Sequence, residues 1–194
     1  PRAARARHPA PLGPAGPDAA AVRRLSRPPL RAFPRTDETP MDLILWRHAE
    51  ALELREGADD PALDLERPLT PKGERQAQRM AAWLNQRLTD RTRILCSPAL
   101  RTQQTAKALE RKFRITDAVN PQAGPDALLA ACRWPDAGEP VLIVGHQPAL
   151  GQVAARLMGG DPLAGWSIKK GGVWWLRRRE RGGEFEVVLQ AVQN

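Results

Sequence analysis

The 194-residue chain holds 30 Lys and Arg against 22 Asp and Glu, a formal charge of +8, with two Cys and three His. At roughly 100–200 residues per domain this is one domain with room for an extension. Cys96 and Cys132 stand far apart, without a CxxC or a His at ligand spacing, so neither a disulfide framework nor a zinc site is indicated. No run approaches the roughly 18 apolar residues of a membrane helix, so a cytoplasmic protein away from membranes is expected.

Residues 1–40 stand apart in composition. Nine Pro, nine Ala and eight Arg fill 26 of the 40 positions, against three acids. So few large apolar groups cannot offset the entropy of ordering a chain, and a disordered Arg/Pro/Ala-rich extension is expected there. It lacks the apolar core of a secretory signal. It also has no Lys and, in Phe33, a single aromatic for base stacking, which argues against nucleic acid as a partner. The chain opens with Pro, and Met41 immediately precedes a strand-like run, so 1–40 reads as a solvated or mis-assigned start and 41–194 as the functional domain.

From Met41 the pattern alternates strand and helix. Asp42–Arg47 reads as a buried strand, followed by His48-Ala49-Glu50 and an acid-rich loop to Leu69. Thr70-Pro71 is an N-cap with Pro at the first helical position, and Ala77, Met80, Ala81, Leu84 and Leu88 recur on one helix face. A strand is expected at Arg93–Ser97 and a helix at 99–112. A short strand follows at Ile115–Val119, then a short helix at Pro125–Arg133. Val141–Gly145 is the next strand, and Pro148–Leu157 the next helix. Gly172–Arg178 and Glu184–Val192 read as a closing hairpin through Arg181-Gly182-Gly183. Such alternation implies an α/β three-layer sandwich: a mostly parallel central sheet with helices on both faces and antiparallel last strands.

In such sheets ligands bind beyond the carboxyl ends of the strands. Outside the extension there are two His, and each follows a buried-strand pattern: His48 after LILWR, His146 after VLIVG. Singly, each would be an ordinary loop histidine; as a pair they mark a site. Arg47 abuts the first strand end, where a guanidinium needs an anionic partner. Arg101 falls in the first turn of the helix after Ser97-Pro98, where free N–H groups and the helix dipole favour an anion. The plainer alternative for Arg101 is an ion pair with Glu110 or another acid. Two His and two Arg at one sheet edge suggest phosphate. There is no metal cluster and no GxxxxGK[ST] loop, so no cofactor is expected. Neutral imidazole is then the best nucleophile present, one His taking the phosphoryl group and the other donating hydrogen bonds to it.

Three segments carry a family resemblance: Arg47-His48-Ala49-Glu50, Ser97-Pro98-Ala99-Leu100-Arg101-Thr102-Gln103-Gln104-Thr105-Ala106, and Val144-Gly145-His146-Gln147-Pro148. In the same order they resemble the motifs of the histidine phosphatase superfamily, whose fold is phosphoglycerate mutase-like. The short chain, Arg-His-Ala-Glu, and Arg67-Pro68-Leu69-Thr70-Pro71-Lys72-Gly73 look like the small SixA-type phosphohistidine phosphatases. The resemblance implies that His48 attacks phosphorus and that Arg47 and Arg101 bind phosphoryl oxygens. It further implies that His146 completes the pocket, that Arg67 adds a positive contact, and that metal is dispensable. Its partners would be a phosphohistidine protein or a small phosphorylated molecule, with phosphate ion in the site, and a monomer is expected.

Many superfamily members also place a general acid after the third strand. Here only Asp126 stands in that region, where an acid in a first helical turn already suits the dipole; Glu50 is the other candidate acid. If neither serves, an alkoxide would leave poorly, whereas the imidazole of phosphohistidine can leave as a neutral ring. Two other functions stay open: a small-molecule phosphomonoesterase using one of those acids, and a non-catalytic phosphate- or nucleic-acid-binding protein using the extension. Of the remaining features, the six Trp read as core bulk. Lys169-Lys170 reads as solvated charge or a face for an acidic protein, and Arg177-Arg178-Arg179 as an edge-strand guard.

Overall fold

A computed structural model of the protein describes residues 41–54, 60–161 and 165–194. The extension expected over residues 1–40 lies outside the described residues. The elements run β1 (Met41–Arg47), α1 (Pro61–Leu65), α2 (Pro71–Asn85), β2 (Arg93–Cys96), α3 (Leu100–Lys107), β3 (Arg114–Ile115), α4 (Pro125–Cys132), β4 (Val141–Gly145), α5 (Ala149–Leu157), β5 (Val173–Arg181) and β6 (Glu184–Gln193). They form one six-stranded sheet in the order β3-β2-β4-β1-β5-β6. The first four strands in that order are parallel, and β5 and β6 close the sheet antiparallel.

Strand β1 lies at the centre, and its side chains divide the core. Leu43 and Leu45 point into a cluster with Leu128 of α4 and Leu150 and Val153 of α5. Ile44 and Trp46 point the other way, into a cluster with Met80, Ala81 and Leu84 of α2 and Ala106 of α3. The sheet is thus covered on both faces, as the alternation of strand and helix implies. All four β1 side chains are 0% exposed, and burial contributes about 1.5–3 kcal/mol for each large apolar side chain.

With both faces apolar, alternation alone cannot fix the register of β1. An ion pair does so: Asp42 and Arg177 are partners across β1 and β5, with Arg177 Nε 2.6 Å from Oδ1 and Nη2 2.8 Å from Oδ2. This corrects the edge-guard reading of Arg177-Arg178-Arg179. Strand β5 is interior, between β1 and β6; Arg178 stacks over Phe185 at 3.6 Å and Arg179 pairs with Glu186. The hairpin turn forms where expected, with Gly182 and Gly183 at φ 66° and 86°, positive values that favour glycine at both central positions.

Other elements differ in extent from the expectation. Helix α3 stops at Lys107, and the chain turns at Glu110 with φ 56° rather than continuing to residue 112. Of the strand expected at Ile115–Val119 only Ile115 pairs, in a strand that starts one residue earlier at Arg114. Asp117–Val119 instead winds into one 3-10 turn, capped by Thr116 Oγ1 accepting from the Ala118 amide. The loop expected before Leu69 contains a helix, α1, started by the Asp60 carboxylate accepting from Ala62 with Pro61 at its first position. The Trp residues are only partly core: Trp46 and Trp175 are buried, while Trp83, Trp134, Trp166 and Trp174 pack from half-exposed positions.

Candidate functional site

Three parallel strands end at one edge of the sheet, and each hands on a side chain. His48 follows β1, Ser97 follows β2 and His146 follows β4. The β1–β4 register ends with Arg47 opposite Gly145, and the His48 amide donates to the Gly145 carbonyl at 3.1 Å. The two histidines therefore lie side by side, ring centroids 5.2 Å apart. Both are buried, at 6% and 5% exposure.

The chemistry of His48 follows from its partner. Nδ1 lies 2.7 Å from the Ala49 carbonyl oxygen, which can only accept, so Nδ1 carries the proton and Nε2 keeps its lone pair. The Ala49 peptide is itself tied down: its amide donates to Thr105 Oγ1 at 3.1 Å, and that hydroxyl donates to the Arg101 carbonyl at 2.7 Å. Burial pushes the His48 pKa down to about 4; the hydrogen bond to Ala49 opposes this, and Arg101, Arg47 and Arg67 reinforce it. The ring is neutral at pH 7, the form a nucleophile needs.

His146 is held in the complementary way. Arg101 Nη2 lies 3.4 Å from Nδ1, and a guanidinium only donates, so Nδ1 accepts and Nε2–H donates to Ser97 Oγ at 2.8 Å. Burial, then the neighbouring His48 and Arg101, push its pKa far below the usual imidazole range.

The two arginines give the site its sign. Arg47 donates from Nη1 to the Ile168 carbonyl at 2.8 Å, and Arg101, 3% exposed, donates from Nη1 to the Asp64 carbonyl. The Nε of each is buried and has no hydrogen-bond partner among the described residues. A buried charged donor without an acceptor costs about 1–3 kcal/mol or more, a cost that an anion entering the pocket would relieve. Burial lowers both guanidinium pKa values, yet such groups stay charged. The pocket thus joins an unprotonated imidazole nitrogen to buried donors suited to phosphoryl oxygens.

Of the other expected residues, Arg67 joins the group through Asp64, its Nε 2.9 Å from Oδ1, and donates to the Leu52 carbonyl. Asp64 is the residue missed in the sequence. It lies on α1, within what reads as an acid-rich loop, and links Arg67 to Arg101, whose Nη2 is 2.9 Å from Oδ2. The acid beside Arg101 is therefore Asp64 and not Glu110. The signal that could have found α1 is Asp60-Pro61, the same cap-and-proline pattern as Thr70-Pro71.

The two candidate acids fare differently. The Glu50 carboxylate accepts from Lys72 at 2.8 Å and from Thr70 at 3.1 Å, and these hydrogen bonds hold its pKa below the usual range. An ionised carboxylate has no proton to give. Asp126 pairs with Arg156 of α5 rather than with any pocket residue. Lys170 pairs with Glu53 at 3.0 Å. Among the described residues no group of three or more His, Cys, Asp or Glu is placed to hold a metal, and no helix is long and apolar enough to cross a membrane.

The backbone around His48 is fixed by α2. Thr70 Oγ1 accepts from the Gly73 amide at 2.9 Å, Gln76 Oε1 accepts from the Glu50 amide at 3.0 Å, and a Cβ on Gly73 would fall 1.9 Å from the Glu50 carbonyl oxygen. Only glycine lets the first turn of α2 approach this loop so closely.

Comparison with known proteins places the chain in a family. The model of the histidine phosphatase superfamily (branch 1) matches residues 43–122. The phosphohistidine phosphatase SixA homolog of Haemophilus influenzae is 32% identical over 134 residues, 61% of this chain and 78% of the relative. Phosphohistidine phosphatase SixA of Escherichia coli is 28% identical over 135 residues, 62% of this chain and 76% of the relative. A solved structure of the protein histidine phosphatase SixA complexed with tungstate superposes with a TM-score of 0.62 at 23% identity, covering 78% of this chain and 96% of that one, a likeness of fold. Carrying these motifs on this sheet, the chain belongs to the histidine phosphatase superfamily, as a SixA-type member.

Proposed function

We propose that the protein is a phosphatase that works through a phosphorylated His48 and removes the phosphoryl group from phosphohistidine on another protein. The observation that carries this is the Nδ1–H bond from His48 to Ala49, which leaves Nε2 unprotonated on a ring whose pKa the charges of Arg101 and Arg47 help to lower.

In the first step the Nε2 lone pair attacks phosphorus and the bond from phosphorus to the substrate nitrogen breaks. Arg47 and Arg101 stabilise the charge on the equatorial oxygens, and His146 lines the pocket. The substrate imidazole, protonated at its other nitrogen, leaves as a neutral ring. In the second step water attacks the phosphoryl group on His48, the P–N bond breaks, and phosphate is released.

The substrate preference rests on the leaving group. Glu50 and Asp64 are both held below the usual carboxylate range, Asp64 by Arg101 and Arg67 against the opposing effect of burial, and Asp126 is committed to Arg156. Of the candidate acids among the described residues, none then stands ready to protonate an alkoxide, whereas imidazole, with an ordinary pKa of about 6.5, needs none. The Haemophilus influenzae and Escherichia coli relatives carry the name of a phosphohistidine phosphatase, and tungstate, an analogue of phosphate, was bound by the solved SixA.

The test is phosphate release from a phosphohistidine peptide and from a sugar phosphate, side by side, with excess chelator. The expected result is turnover of the peptide well above the sugar phosphate, unaffected by chelator and abolished in His48→Ala. Preference for the sugar phosphate would make the protein a small-molecule phosphomonoesterase instead.

A further inference from the structure

The Arg101 guanidinium is only half committed. Its Nε and Nη2 form the edge that can grip two oxygens of one anion, as Arg177 grips Asp42 in this same protein. On Arg101 that edge is divided: Nε is buried without a partner among the described residues, while Nη2 donates to Asp64 Oδ2 at 2.9 Å. The same Nη2 lies 3.4 Å from His146 Nδ1, so it faces the histidine pair. Nη1 is anchored separately, on the Asp64 carbonyl. The other carboxylate oxygen of Asp64 is held by Arg67 Nε and Nη2, at 2.9 and 2.8 Å.

We infer that Asp64 is a positioning residue that acts as an internal competing anion: with one Nη2 hydrogen on Asp64 Oδ2 and the other facing His146 Nδ1, neither is free, and a phosphoryl oxygen gripping the Nε and Nη2 edge must take the one that Asp64 holds. This rests on the phosphate-binding role proposed for Arg101. Binding is then an exchange. A phosphoryl group engages Nε and Nη2 together, and Oδ2 gives up Nη2 while Oδ1 stays with Arg67 and Nη1 stays on the Asp64 carbonyl. No covalent bond changes, and the guanidinium keeps its orientation throughout.

The arrangement has two consequences. A buried guanidinium is spared full exposure to an empty pocket, because Asp64 supplies part of its counter-charge at rest. Phosphate, the product, is held less tightly than three arginines would otherwise hold it, because a carboxylate is waiting to return. The site thereby selects a doubly charged phosphoryl group, which can displace a carboxylate, over singly charged anions, which displace it poorly.

The test is titration of inorganic phosphate into the wild type, Asp64→Asn and Asp64→Ala by calorimetry, with Asp64→Glu as the conservative variant. Helix α1 buries no residue, so the variants are expected to fold, and their thermal midpoints read this directly. The expected result is phosphate binding about fivefold tighter in Asp64→Asn and Asp64→Ala, and close to wild type in Asp64→Glu, where a carboxylate can still compete. In hydrolysis the inhibition constant for phosphate and KM should fall together without a rise in kcat. Unchanged or weaker phosphate binding in both Asp64→Asn and Asp64→Ala would overturn the inference and leave Asp64 a structural tie. The titration needs no turnover, so a failure of the phosphatase reading appears separately, as a wild type that binds phosphate but hydrolyses nothing.

Discussion

At the scale of single residues, the site depends on which proton each histidine lacks. One short hydrogen bond to a main-chain carbonyl decides this for His48, and one guanidinium decides it for His146. Keeping such rings neutral has a measurable cost. The folded-state pKa of His48, about 4, lies below the ordinary imidazole value of 6.5, so protonation favours the unfolded chain. The stability that depends on a neutral His48 is whole above pH 6.5 and is lost as pH falls from 6.5 toward 4. At about 1.4 kcal/mol per pKa unit this amounts to about 2 kcal/mol between pH 7 and pH 5, and His146 adds in the same direction. Urea unfolding at the two pH values should show a smaller loss in His48→Asn than in the wild type. Equal losses would mean that His48 is not buried in its neutral form.

At the scale of elements, the site is positioned by close approaches between α2, α3 and the loop after β1. Gly73 belongs to the Arg-Pro-Leu-Thr-Pro-Lys-Gly motif, and the structure supplies its physical reason: a methyl group there would collide with the Glu50 carbonyl. Gly73→Ala should destabilise the protein by about 1–3 kcal/mol or more and lower kcat, because the strain falls on Glu50, in the loop that follows His48. Urea unfolding and turnover measured together check this, and an unaltered kcat in a destabilised variant would separate α2 from the catalytic loop. Much at this scale was legible in the sequence. The continuous apolar runs of β1 and β4 announced buried parallel strands, and Thr70-Pro71 announced the start of α2. What escaped was set by tertiary context. Helix α1 is five residues long, buries nothing and has no apolar period to detect, so its one consequential side chain, Asp64, is marked only by the arginines that reach it. Glu110 ends the helical stretch after α3 through a backbone turn that no side-chain pattern announces. The arginines of β5 looked like an edge because sequence does not reveal that β6 lies outside them.

At the scale of the whole molecule, sheet order turns three separated segments into one pocket. Placing β4 between β1 and β2 brings His48, Ser97 and His146 to adjacent strand ends, and the two faces of buried apolar side chains hold those ends in register. The α2–α3 face braces the His48 loop, and the segment before β5 supplies the Ile168 carbonyl that anchors Arg47. The pocket was legible as two His and two Arg at strand ends; the tautomers that give it direction were not, because they depend on carbonyls and hydroxyls brought in by the fold. The proposed mechanism puts the phosphoryl group on His48 Nε2, the nitrogen that carries no proton. The direct measurement is phosphorus NMR of enzyme quenched in base during turnover of a phosphohistidine peptide. An acid-labile phosphoryl group on His48 Nε2 is expected, absent in His48→Ala. Phosphorylation at Nδ1, at another residue, or turnover with no phosphoenzyme formed would contradict it.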